Sequence, residues 1–104
     1  MTMLQRIAVL SLALATALTD CALAADVRQG EQLAKRWCAS CHVISSIQQQ
    51  GTTQAPPFSA IANKPDVNEK TIAFFLLTPH PRMPDMNLSR SEAADLAAYI
   101  AAQK

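Results

Sequence analysis

The chain has 104 residues and a net charge of +1, with 9 Lys/Arg against 8 Asp/Glu. That length supports one domain at most. The balanced charge provides neither a basic stripe for nucleic acid nor an acidic interaction tail.

Residues 1–24 read as a secretory signal. Arg6 precedes an apolar run over 7–18, and Ala22-Leu23-Ala24 follows as a small-x-small cleavage pattern. The run is too short to cross a bilayer, which takes about 20 apolar residues. Cleavage is expected after Ala24 or Ala25, leaving residues 25–104 as one exported domain without a membrane span. Cys21 lies inside the leader. Asp20 before it argues against lipid attachment, which calls for a small residue at that position.

The spacing of Val27, Leu33, Ala34 and Trp37 predicts a first helix over 26–42, capped by Asp26. Gly30 costs about 1 kcal/mol against Ala inside a helix, so it signals the close approach of another element. The segment ends in Cys38-Ala39-Ser40-Cys41-His42. This Cys-x-x-Cys-His spacing is the signature of covalent haem c attachment. On one helical turn the three positions share a face. Two thioethers at Cys38 and Cys41 then bring the His42 imidazole to the iron as an axial ligand. A zinc centre would need a second ligand pair, and the remaining cysteine and histidine are the isolated Cys21 and His80. A dithiol switch would need a βαβ context that this chain lacks. A domain this small buries little apolar surface, and a covalently held haem would complete its core.

Taken with Leu96-Ala97-Ala98-Tyr99-Ile100 near the C-terminus, Gly30 and the haem motif make the chain resemble small bacterial class I cytochromes c over residues 28–103. The resemblance implies an all-α fold in which the N- and C-terminal helices cross, with Gly30 against Tyr99 and Leu33 against Leu96. Short helices and loops would wrap one covalently bound haem c per chain, and the location would be periplasmic.

Residues 43–55 are polar and irregular, and 48–54 read as a surface loop. Ala55-Pro56-Pro57-Phe58 follows. A ligating histidine donates its second ring N–H to a fixed acceptor. In the resembled family a proline carbonyl does this, and Pro56 aligns best, with Pro57 second. Phe58 and Ile61 are expected to wall the haem pocket. Asp66-Val67-Asn68-Glu69 predicts a capping box opening a helix that runs to about Leu77. Val67, Ile72, Phe75 and Leu76 are its expected inward positions, with Phe74 and Leu77 broadening the face. Thr78-Pro79-His80-Pro81 ends it.

Thioether sulfur is a good soft partner for haem iron. The resembled family carries its axial methionine before a proline, followed by Leu-Ser/Thr-x-x-Glu. Met83-Pro84-Asp85-Met86-Asn87-Leu88-Ser89-Arg90-Ser91-Glu92 fits that pattern. Met83 is therefore the expected sixth ligand, with Met86 as the competitor and His80 a distant third. Ser89-Arg90-Ser91-Glu92 is a capping box for a last helix reaching about Gln103, whose stripe is Ala93, Leu96, Ala97 and Ile100.

The expected function is that of a monomeric electron carrier with both iron positions filled, and not an enzyme. Its partners would be redox proteins: a donor dehydrogenase and an acceptor oxidase or reductase. A haem-based sensor or enzyme with a displaceable sixth ligand is the alternative from a different class. A haem subunit of a larger oxidoreductase complex is a third reading.

Overall fold

The computed structural model describes residues 2–3, 24–48, 50–52, 54–78 and 81–104. Apart from residues 2–3 and 24, the expected leader lies outside the described residues, as do Cys21 and His80. Among the described residues four helices follow one another in chain order: α1 (Val27–Trp37), α2 (Phe58–Ala62), α3 (Glu69–Leu77) and α4 (Arg90–Ala101). No strand occurs among the described residues. No described helix is long and apolar enough to cross a membrane.

Helix α4 is the hub, packing against α1, α2 and α3. Its sequence explains why it can. Ala93, Ala97 and Ala98 let neighbouring helices come close, while Leu96, Tyr99 and Ile100 fill the space between them. Leu96 is fully buried. Burial of a side chain this size contributes about 1.5–3 kcal/mol.

The α1–α4 crossing depends on Gly30. A Cβ there would collide with the Asp95 carbonyl and would lie 2.8 Å from Tyr99 Cβ. Gly30 thus trades helix propensity for contact between two backbones. Leu33 packs against the cluster that contains Leu96. Asp26 secures the start of the crossing. Its carboxylate accepts the Arg28 and Gln29 N–H groups, and its own N–H donates to Asp95 Oδ1 at 2.8 Å.

Several boundaries differ from the sequence reading. Helix α1 stops at Trp37 instead of continuing to His42. Past Trp37 the ladder breaks, because Ala39 N–H reaches back to the Ala34 carbonyl and Cys41 N–H turns to Cys38 O. Helix α3 is capped by Asn68, not Asp66. Residues 64–67 form a turn closed by Val67 N–H on Lys64 O, and Asn68 Oδ1 then accepts Thr71 N–H. Asp and Asn cap equally well, so composition alone did not separate the two frames. Helix α4 ends at Ala101, where Gln103 Nε2 donates to the Tyr99 carbonyl.

The inward face of α3 is also narrower than expected. Ile72 is buried and Ala73 and Leu76 are partly buried, but Phe75 is 52 % exposed and Phe74 73 %. One turn can direct only a limited arc at α4, and residues to either side of it fall outside the contact. Ile44, inside the segment read as polar loop, belongs to the core instead.

Candidate haem site

The haem motif forms one tight turn after α1. Cys38 O accepts N–H from both Cys41 (3.1 Å) and His42 (2.8 Å). Those bonds give Cys38, Cys41 and His42 the helical-turn relationship that the spacing requires. Cys38 is buried and Cys41 exposed, and the two are not joined to each other. Burial pushes the Cys38 thiol up to about 11, with the neighbouring Cys41 adding to the rise. The thiol therefore stays protonated at neutral pH, and conversion to a thioether would remove the titration altogether.

His42 is anchored through its ring. Nδ1 lies 2.7 Å from the Pro56 carbonyl. A carbonyl oxygen can only accept, so Nδ1 carries the hydrogen. In the neutral imidazole this leaves the lone pair on Nε2, the atom free to bind a metal. Phe58 packs beside the ring, with centroids 5.5 Å apart, and meets Tyr99 edge-on at 6.3 Å. Phe58 is buried in the core, while Pro57 serves as the N-cap of α2.

The backbone that carries this turn is held from several directions. Phe58 N–H donates to Val43 O at 2.9 Å, and Thr52 N–H to Cys41 O at 2.8 Å. The buried Tyr99 hydroxyl donates to Ile44 O at 2.9 Å, linking α4 to the segment just after the motif. Gln48 makes the densest set of bonds, reaching the backbone at Ala39, His42, Ile44 and Gln50. The sequence reading takes Gln48 as part of a surface loop because residues 48–54 show no apolar period. Its available signal is a long amide side chain placed six residues after the motif histidine.

Met83 and Met86 sit in a second place. Both line a small cleft with Leu76, Leu77, Thr78, Pro84 and Asp85. Cys38, Cys41 and His42 do not line it. Met86 is buried and Met83 half-buried. The strap between α3 and α4 turns at Asn87, whose φ of 49° is left-handed, a conformation Asn tolerates better than most residues. Asp85 Oδ1 accepts the Asn87 N–H and closes that turn. The structure thus brings Cys38, Cys41, His42, Pro56 and Phe58 together, and gathers the two methionines separately.

The donor set fits a covalently held haem: two thiols and an imidazole with Nε2 free, all on one turn. Comparison with known proteins agrees. Residues 25–100 match the family described as cytochrome C oxidase, cbb3-type, subunit III. The chain belongs to this cytochrome c family. It is also 54% identical over 79 residues to cytochrome c-552 of Bradyrhizobium diazoefficiens, covering 76% of each chain. No solved structure matches it. The protein is accordingly a small monohaem class I cytochrome c with an all-α fold, and its cofactor is covalently bound haem c. Haem-based electron transfer is the activity that goes with this membership.

Proposed function

We propose that this cytochrome is an exported, periplasmic single-electron carrier in which Cys38 and Cys41 hold the haem and His42 and Met83 are the axial ligands. The observation that carries the reading is the 2.7 Å bond from His42 Nδ1 to Pro56 O, which reserves Nε2 for the iron. When bound, haem c supplies a one-electron ferric/ferrous couple. The chain's part is to fix the imidazole through Pro56, pack Phe58 beside it and exclude water from that side. Met83 would supply a neutral sulfur, and a His/Met pair raises the potential. Filled axial positions leave no place for a substrate, which favours a carrier over an enzyme. Its partners would be a donor dehydrogenase and an acceptor oxidase or reductase, docked through a small transient interface. Residues 1–24 would direct export and be removed.

The greater burial of Met86 makes it the specific competitor for the sixth position. Substitution separates the two. Met83→Ala should abolish the far-red absorption band of Met–Fe(III) ligation in the oxidised protein, while Met86→Ala should keep it. The reverse pattern would assign the ligand to Met86. Absence of that band from the wild type itself, with a high-spin spectrum that shifts on adding CO, would favour the sensor or enzyme reading. Mass analysis of the denatured, exported protein should show one retained haem and a chain beginning near residue 25.

A further inference from the structure

We propose that Gln48 is a positioning residue for His42, holding the backbone on which the axial imidazole is mounted. The inference rests on the reading of His42 as an axial ligand. The motif lies beyond the end of α1, so residues 39–44 have no continuous helical ladder to satisfy their polar backbone. Gln48 supplies the missing partners from a single side chain. Its Oε1 accepts the Ile44 N–H at 3.1 Å. Its Nε2 lies 3.1 Å from Ala39 O, 2.9 Å from His42 O and 2.7 Å from Gln50 O.

A carboxamide has two N–H hydrogens, so the three carbonyls share them. The orientation is also unambiguous. Turning the amide over would set Oε1 against three carbonyl oxygens and leave Ile44 N–H facing a donor. Gln48 therefore bridges the middle of the motif, the histidine itself and the residue two beyond it. His42 is then fixed at three points: its N–H on Cys38 O, its carbonyl under Gln48 Nε2, and its ring on Pro56 O. Without Gln48 the histidine carbonyl loses that bond, and the Pro56 contact must orient the ring on a looser backbone. Gln54, in the same polar stretch, is exposed.

The test uses the ferrous holoprotein labelled with 15N-histidine, following exchange of the His42 Nδ1–H with solvent. The comparison is wild type in enough urea to equal each variant's global stability. Gln48→Ala should exchange this proton about tenfold faster than that matched wild type, the size expected when a hydrogen bond or two is lost locally. Gln48→Glu keeps an acceptor for Ile44 N–H but, when ionised, no donor for the carbonyls. It should exchange as fast as the alanine variant. Gln54→Ala should match wild type. Equal rates for Gln48→Ala and the stability-matched wild type would overturn the proposal and make Gln48 a general stabiliser. The site reading fails separately: a His42→Ala holoprotein with an unchanged low-spin spectrum would overturn the ligand assignment and this inference with it.

Discussion

The histidine flank of the site is tied to the core by residues far away in sequence, whereas the methionine flank is shaped by its own turn. On the first flank, Tyr99 reaches Ile44, Phe58 N–H reaches Val43, and Pro56 receives the His42 ring. On the second, among the described residues, Asn87 N–H donates to Asp85 Oδ1 within the strap itself. Beside it α3 leaves Phe74, Phe75 and Leu77 exposed. The contrast separates two tasks. On the proposed assignment, one ligand would be mounted on a framework that the helix crossing holds, and the other would come from a segment whose two methionines line one cleft.

The contrast breaks first at its foundations. Leu96→Ala deletes a fully buried side chain at the hub of the three helix contacts. It should cost about 2–5 kcal/mol of stability. Phe74→Ala removes a ring that is 73 % exposed and should cost about 0.5 kcal/mol or less. Urea denaturation of the holoprotein measures both. A Phe74 loss comparable to that of Leu96 would mean that the outward face of α3 is covered in the haem-loaded protein, and the two flanks would no longer differ in kind.

A smaller perturbation tests the tie between helix and motif. Tyr99→Phe keeps the ring against Phe58 but removes the hydroxyl that serves Ile44 O. An unsatisfied buried carbonyl costs about 1–3 kcal/mol. The loss should appear in denaturant titrations while the far-red band of Met ligation persists at low denaturant. Disappearance of that band without global unfolding would show the methionine flank to be coupled to this tie.

The same division governs what could be read in the sequence. The motif Cys38–His42, a close approach at Gly30 and the Ser89/Glu92 cap depend on short spacings or on a residue type with one structural use, and each is legible, while Tyr99 as the partner of Gly30 comes through family resemblance. The Pro56 contact was reached through family resemblance, because nothing in Pro56-Pro57 distinguishes one carbonyl from the other. The Asp66 capping box misses the frame because Asp and Asn both cap well and only the turn at 64–67 selects Asn68. Phe75 was placed inward because apolar periodicity on a short helix does not reveal how wide an arc its partner covers. Gln48 was invisible because a side chain that replaces secondary structure looks, in sequence, like any polar loop residue.

The smallest expected effect lies where the methionine strap joins α4. Ser89 Oγ accepts the Glu92 N–H, and Glu92 Oε1 accepts the Ser89 N–H, each at 3.0 Å. The backbone bond from Ser89, then its side-chain bond, holds the Glu92 carboxyl below its usual range, with Arg36 contributing the same way. A carboxyl whose folded pKa is depressed stabilises the fold above its unfolded value, and that contribution is lost as the pH falls through the folded value. Glu92→Gln retains an oxygen for the Ser89 N–H but cannot titrate. The variant should be slightly less stable than wild type at neutral pH. Its urea midpoint should fall less steeply on acidification, so that the two proteins converge once Glu92 is protonated. Parallel curves across the acid range would mean that the cap acts through its geometry alone. The end of the strap would then be set by the same local turn chemistry as its middle, with no contribution from charge.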